Sequence, residues 1–284
     1  MMSVDVAAWL KQAAGHISSL STAPHLEAQL LLAHTLGKPR EWLLTHPEFQ
    51  LPPSAFQQAN HDLTRLVAGE PLPYILQKQE FFGLEFKVNP AVLIPRPETE
   101  LLLEHALAWL QKHPTCHRVA DVGTGSGCIA VSLAVNAPGI HLLATDISFP
   151  ALQVARYNAG FHRMEDRIQW VQADLLSPIS TSFDLICANL PYIPTDTLPG
   201  LSVSAHEPLN ALDGGPDGLT FIRSLLYQAR SRIQSGGLLL LEIEASQGNS
   251  ASLAAQAVFP QAEIRVVDDL AGHPRLLEIQ EKEW

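Results

Sequence analysis

Four consecutive residues, Asn189-Leu190-Pro191-Tyr192, follow the apolar run Asp184-Leu-Ile-Cys-Ala188, and their types suit a narrow chemical problem. An amide nitrogen is a poor nucleophile because its lone pair is delocalised into the carbonyl. The side-chain oxygen of Asn189 and the backbone carbonyl of Leu190 can each accept one N–H from a substrate NH₂ group. Held in that way, the nitrogen lies in line with an electrophilic carbon and is favoured as it becomes tetrahedral. Pro191 stiffens the turn, and Tyr192 offers a face to a planar group. No strong general base is required, because the proton leaves once the nitrogen is cationic. The bland reading of the same residues is a strand ending in an Asn-capped turn with a packed Tyr.

A second cluster lies upstream. Ala120-Asp121-Val122-Gly123-Thr124-Gly125-Ser126-Gly127-Cys128 follows one β-like run and opens a helical one. Glycines there permit a tight turn and close approach of backbone to a ligand. Asp146 ends the next strand, about 20 residues on, where a carboxylate can accept both hydroxyls of a ribose. Asp174, after the following strand, can bond an adenine amino group, with Leu175 against the ring. The loop reads Gly-x-Gly-x-Gly and lacks the Gly-x-Gly-x-x-Gly spacing of a dinucleotide site, which places a pyrophosphate on a helix N-terminus. S-adenosylmethionine has no phosphate, and the spacing favours it over a nicotinamide cofactor.

The elements that must position these residues are legible as two regimes. From Val4 to about Ala68 apolar residues recur at helical spacing, and Pro24, Pro39, Pro47 and Pro52-Pro53 divide the stretch into four or five short helices, the last capped by Ser54. Glu80 to Val88 reads as a hairpin around Gly83. Beyond Glu98 strands and helices alternate: strands at 118–122, 141–146, 168–172, 183–188, 238–243, 263–267 and 275–280, and helices at 99–111, 126–135, 151–160, 219–233 and 246–258. Repeated βαβ units require a mainly parallel sheet. The expected division is an N-terminal helical recognition domain at 1–78, a hairpin connector at 79–94 and an α/β domain at 95–284.

Bulk properties narrow the class. The 284 residues are 46% hydrophobic and 17% charged, an ordinary globular composition, and the formal net charge of −11 counts against non-specific nucleic-acid binding. No apolar run reaches the roughly 18 residues of a membrane span. Asp5, Lys11 and His16 interrupt the N-terminal stretch, so no signal peptide is expected and the chain reads as cytoplasmic. Three cysteines, Cys116, Cys128 and Cys187, imply no disulfide framework. His113, Cys116 and His117 have no second cluster to complete a tetrahedral site, so no metal is expected.

With those residues in hand, the chain resembles the release factor glutamine methyltransferases (the HemK/PrmC type) over nearly its whole length. The resemblance is carried by Gly69-Glu-Pro-Leu-Pro-Tyr-Ile75, Glu80-Phe-Phe82, Leu93-Ile-Pro-Arg-Pro-Glu-Thr-Glu100, the Asp121 to Gly127 loop, Asp146-Ile-Ser148 and Asn158-Ala159. Glu207-Pro-Leu-Asn-Ala-Leu212, Asp217-Gly-Leu219 and Leu241-Glu-Ile-Glu-Ala-Ser-Gln247 complete it. It implies a seven-stranded Rossmann-like class I methyltransferase sheet with its last strand antiparallel, joined through a β-hairpin to a small all-helical domain that helps dock the substrate. It also implies methyl transfer from S-adenosylmethionine to the glutamine side chain of the Gly-Gly-Gln motif of class 1 peptide chain release factors. Asn189, Leu190, Pro191 and Tyr192 are then the catalytic, substrate-holding turn. The cofactor set is Asp121, Gly123, Thr124, Gly125, Ser126, Gly127, Asp146, Ile147, Asp174, Leu175 and Asn189. Arg96 and Glu98 would lie near the substrate entrance, and Glu207 and Pro208 near the pocket wall. A monomer is expected.

There is one departure: the family usually reads Asn-Pro-Pro-Tyr, and here Leu190 stands for the first Pro. Asn-Leu-Pro-Tyr also occurs in enzymes that methylate adenine in ribosomal RNA, which keeps a nucleic-acid adenine methyltransferase as an alternative. A ribosomal-protein glutamine methyltransferase, a non-catalytic module on the same scaffold and a nicotinamide-dependent oxidoreductase are weaker ones.

Overall fold

The structure, a computed structural model, describes residues 4–282; the ends of the expected domains at Met1 and Trp284 lie outside these. The chain divides into two compact units, 1–78 and 79–284.

The first unit is built from five helices: α1 (Val6–Ile17), α2 (Pro24–Leu36), α3 (Arg40–Thr45), α4 (Pro53–Val67) and α5 (Leu72–Leu76). Val6, Trp9, Ala13 and Ile17 recur at helical spacing on α1 and are buried with Leu31, Leu32, Leu43, Ala59 and Leu63 in one core. Asp5 caps α1, its carboxylate accepting the Ala8 N–H at 2.8 Å. The prolines act as starts: Pro24 and Pro53 sit in the first turns of α2 and α4, where a missing N–H costs nothing. Ser54 is not the cap of α4. Pro52 holds the cap position and no side chain bonds there, because Pro53 at the first helical position already fixes the entry.

The hairpin is formed by β1 (Lys78–Phe81) and β2 (Leu84–Lys87), all but its first residue in the second unit. Phe82 and Gly83 both have positive φ, +51° and +70°, the turn conformation that matches hairpin twist.

The remaining strands, β3 (Arg118–Val122), β4 (His141–Asp146), β5 (Ile168–Gln172), β6 (Phe183–Ala188), β7 (Ile233–Glu242), β8 (Glu263–Asp268) and β9 (Pro274–Gln280), form one sheet. Their order is β5-β4-β3-β6-β7-β9-β8, with β9 antiparallel to both neighbours. Alternation along the strands sorts the core into two layers. Val119, Leu142, Leu185 and Leu240 pack with α6 (Glu100–Lys112) and α7 (Cys128–Asn136). Ala120, Leu143, Ile186 and Leu239 pack with α9 (Thr220–Ala229) and α10 (Gly248–Val258). The helix α8 (Phe149–Phe161) lies against β4, β5 and β2.

Two boundaries of the α/β region differ from expectation by more than two residues. α9 stops at Ala229, and β7 begins at Ile233, five residues before Leu238. The early start is possible because the β6–β7 register shifts between Phe183 and Leu185, and Gly237 leaves room for the Asp184 carbonyl, which a Cβ would meet at 2.9 Å.

Glycine tolerance separates two positions. Gly218 has φ +75°, and a Cβ there would meet the Tyr192 carbonyl oxygen at 2.2 Å, whereas Gly37 has φ +61° and open space around it. Gly218→Ala is expected to cost roughly 2–5 kcal/mol and Gly37→Ala about 1–2 kcal/mol, compared by urea unfolding of the two variants.

Candidate active site

The chain leaves β3 and β6 in opposite directions across the sheet, so their carboxyl ends stand open at the point where strand order reverses. Ligands of open α/β sheets bind at such points. A cavity of about 380 Å³ lies there, lined by Gly123 to Ser126, Asp146 to Ser148, Ala173 to Leu175 and Asn189 to Pro191, with Val92, Arg96, Thr99 and Phe221.

The glycine loop is shaped by φ values of +75°, +55° and +80° at Gly123, Gly125 and Gly127. A Cβ on Gly123 would come within 2.9 Å of the Leu190 Cδ2, so the loop and the Asn189-Tyr192 turn touch directly. Asp121 stands behind the loop and does not line the cavity. It is fully buried, accepts from the Thr124 hydroxyl at 2.6 Å and the Ala130 N–H at 3.1 Å, and burial pushes its carboxyl up to about 7. Its second oxygen has no partner among the described residues. Gly127 likewise lies off the cavity; it holds the cap position before α7 and packs against Ala155. Asn158, fully buried on α8, ties the loop to the hairpin by donating to the Ser126 and Lys87 carbonyls and accepting the Lys87 N–H.

Asp146 ends β4 with its two oxygens accepting the Gly125 and Ser148 N–H groups at 2.9 and 2.8 Å. Burial raises its carboxyl despite those bonds. Each oxygen keeps a lone pair for a ribose hydroxyl. Ile147, Ala173 and Leu175 supply apolar surface beside it, and Asp174 is exposed at the rim. This set, a carboxylate for a diol and apolar walls for a flat ring, fits an adenosyl group.

On the opposite wall the Asn189 Nδ2 donates to the Thr99 hydroxyl at 3.0 Å, and Thr99 donates to the Glu242 carboxylate at 2.7 Å. Tyr192 does not line the cavity: its hydroxyl donates to the other Glu242 oxygen at 3.2 Å, and Gln247 holds its carbonyl at 2.9 Å. Glu242, at the end of β7, is 2% exposed, and burial pushes it up to about 7.

Of the entrance residues, Arg96 lines the cavity, while Glu98, Glu207 and Pro208 do not. Glu207 is buried, pairs with the Arg96 guanidinium and accepts the Ile94 N–H at 3.1 Å, so its place is to fix the proline-rich segment. Thr99 and Glu242 are not among the expected site residues, although both lie in segments that carry the resemblance, Leu93 to Glu100 and Leu241 to Gln247. His113 stacks on Trp109, and no group of three or more His, Cys, Asp or Glu among the described residues is arranged to hold a metal.

Residues 8–76 match the PrmC N-terminal domain family and residues 97–197 the methyltransferase small domain family. A release factor glutamine methyltransferase of Moorella thermoacetica is 44% identical over 254 residues, covering 89% of each chain. The chain belongs to the release factor glutamine methyltransferase family. The family member from Coxiella burnetii is 39% identical over 271 residues, covering 94% of this chain and 95% of its own. In fold, a methyltransferase from Pyrococcus furiosus superposes with a TM-score of 0.52 over 78% of this chain and 99% of that one, at 16% identity.

The raised Glu242 carboxyl has a thermodynamic consequence. Between the ordinary value of 4.5 and about 7 the folded chain keeps a proton that the unfolded chain releases. The group's contribution to stability is therefore full below the lower value and lost as pH rises through the upper one. The unfolding free energy of the wild type minus that of Glu242→Gln is expected to fall as pH rises across this window and then level off. A difference indifferent to pH in chemical denaturation would contradict the assignment.

Proposed function

We propose that this chain transfers a methyl group from S-adenosylmethionine to the side-chain amide nitrogen, N5, of the glutamine in the Gly-Gly-Gln motif of class 1 peptide chain release factors. The observation that carries this reading is that Asn189 and Leu190 share one cavity with the glycine loop and Asp146. S-adenosylmethionine, when bound, supplies a methyl group on a positively charged sulfur. The chain's own residues do the rest.

Asp146 holds the ribose hydroxyls, Ile147 and Leu175 flank the adenine, and Gly123 to Ser126 bring backbone close to the ligand. Asn189 and the Leu190 carbonyl each accept one N–H of the glutamine amide and aim its nitrogen at the methyl. Two acceptors favour a nitrogen that is gaining positive charge over the neutral planar amide. Pro191 fixes the turn, and Tyr192 anchors it through Glu242. Asp121 and Gly127 shape the loop from behind, and Arg96, held by Glu207, stands at the substrate side. The helical unit, residues 1–78, serves to recognise the release factor. We place the enzyme in the cytoplasm as a monomer; no described helix is long and apolar enough to cross a membrane.

Asn189→Ala is expected to lower kcat by about 100-fold or more, with S-adenosylmethionine affinity unchanged in calorimetry. Asp146→Ala is expected to weaken the cofactor instead, by roughly tenfold to a hundredfold. The defining assay follows label from methyl-labelled S-adenosylmethionine into a purified release factor, its Gln-to-Ala loop variant and an RNA control. Label on the wild-type factor alone supports the reading, and label on RNA would replace it with adenine methylation.

A further inference from the structure

Resting on the function proposed above, we infer that Thr99 and Glu242 are positioning residues that choose which end of the Asn189 carboxamide faces the substrate. An Asn side chain has an accepting oxygen and a donating NH₂ of nearly the same shape. Only the oxygen can receive an N–H of the substrate amide; the other orientation sets donor against donor. Nothing in Asn189 itself makes the choice.

The choice is made by a chain of protons that starts at a buried charge. The ionised Glu242 carboxylate has no proton to give, so the Thr99 hydroxyl, 2.7 Å from it, must donate. A hydroxyl has one proton, and once it is committed only lone pairs remain on the side facing Asn189. Asn189 therefore meets Thr99 with its Nδ2, at 3.0 Å, and its Oδ1 is left for the substrate. Turned over, Oδ1 would face an oxygen with no proton to share. Thr99 and Glu242 are each 2% exposed, so little water reaches that contact. The same carboxylate receives the Tyr192 hydroxyl, which ties both ends of the Asn189-Tyr192 turn to one charge.

Protonation would reverse the order. A Glu242 protonated on Oε2, the oxygen that faces Thr99, donates to Thr99, Thr99 donates to the Asn189 oxygen, and the amide turns its NH₂ outward. The groups that face this carboxyl are the Thr99 and Tyr192 hydroxyls, the Arg275 guanidinium of β9 and the Glu98 carboxylate. Burial outweighs the bonds and the cation, and the two arrangements exchange near neutral pH.

The test combines two readouts on the full chain. In ¹⁵N-edited NMR of the protein alone, the Asn189 side-chain NH₂, assigned by its loss in Asn189→Ala, is expected to titrate near neutral pH in the wild type and not in Thr99→Val. In kinetics well above that midpoint, Thr99→Val is expected to lower kcat about tenfold or more, with KM for the release factor and affinity for S-adenosylmethionine nearly unchanged. Thr99→Ser, which keeps the hydroxyl, is expected to restore kcat. Wild-type kcat in Thr99→Val, equal damage in Thr99→Ser, or an Asn189 signal that does not titrate in the wild type would each overturn the inference. Should Thr99→Val not fold, Glu242→Gln carries the test. Its amide has one accepting oxygen, one donating NH₂ and no titratable proton, so loss of the Asn189 titration supports the inference, and an Asn189 signal that still titrates near neutral pH sinks it. A wild type that does not methylate release factor overturns the parent reading and this one with it, whereas an active wild type with indifferent variants overturns this one alone.

Discussion

Two parallel strands lie side by side at the middle of the sheet, and the chain leaves them in opposite directions. Because β3 continues toward β4 and β6 toward β7, no crossover covers their shared carboxyl end. The loop after β3 and the turn after β6 are forced into contact there, and the Leu190 side chain fills the space that a Cβ on residue 123 would need. A glycine at position 123 is thus a demand of the neighbouring strand as much as of any ligand. The contact joins two sequence motifs about 65 residues apart, so under the proposed function a methyl donor held by one is in register with an acceptor held by the other.

That end of the sheet also gathers carboxylates where solvation is poor. Asp121 and Glu242 are fully buried, and Asp146 is largely so, and all three are raised by desolvation. Each is nevertheless met by directed donors: hydroxyls for Glu242, backbone N–H groups for Asp146, and one of each for Asp121. Neutral side chains of similar volume would fold with less desolvation. What the carboxylates add is direction, since an ionised oxygen can only accept and so fixes where every neighbouring proton lies. Arg96 and Glu207 follow the same logic with opposite charges, clamping the segment that carries Thr99 into the cavity wall.

Much of this was legible because buried parallel strands leave a plain trace. Arg118–Val122, His141–Asp146, Ile168–Gln172 and Phe183–Ala188 are short apolar runs between turn residues, and the glycine loop and Asp146 are placed by their distance from strand ends. Side-chain pairings across the sheet leave no such trace. Thr99 and Glu242 are 143 residues apart and Asn189 is 90 from Thr99, so nothing local announces that they form one line. The family resemblance puts Glu207 at the pocket wall and Tyr192 has the ring to face a planar group, but their side chains turn toward Arg96 and Glu242. Ser54 looked like a cap because of its type, and the proline before it had already taken over that work.

The leucine at position 190 shows how the site keeps its geometry without the proline usual in this family. Proline stiffens a turn covalently, by fixing φ and removing a donor. Leucine forfeits that, yet Leu190 is 4% exposed and packs over Gly123, so the backbone is held by burial instead. Pro191 follows it and restricts its backbone to extended conformations. Gln247 grips the carbonyl of Tyr192, and Ile193 exchanges backbone bonds with Leu212 and Gly214 just beyond. With Asn189 pinned at one end by Thr99 and Tyr192 at the other by Glu242, the turn is restrained at both ends and at its centre. A backbone carbonyl at position 190 survives the substitution, and its direction depends on those restraints more than on the ring that is absent.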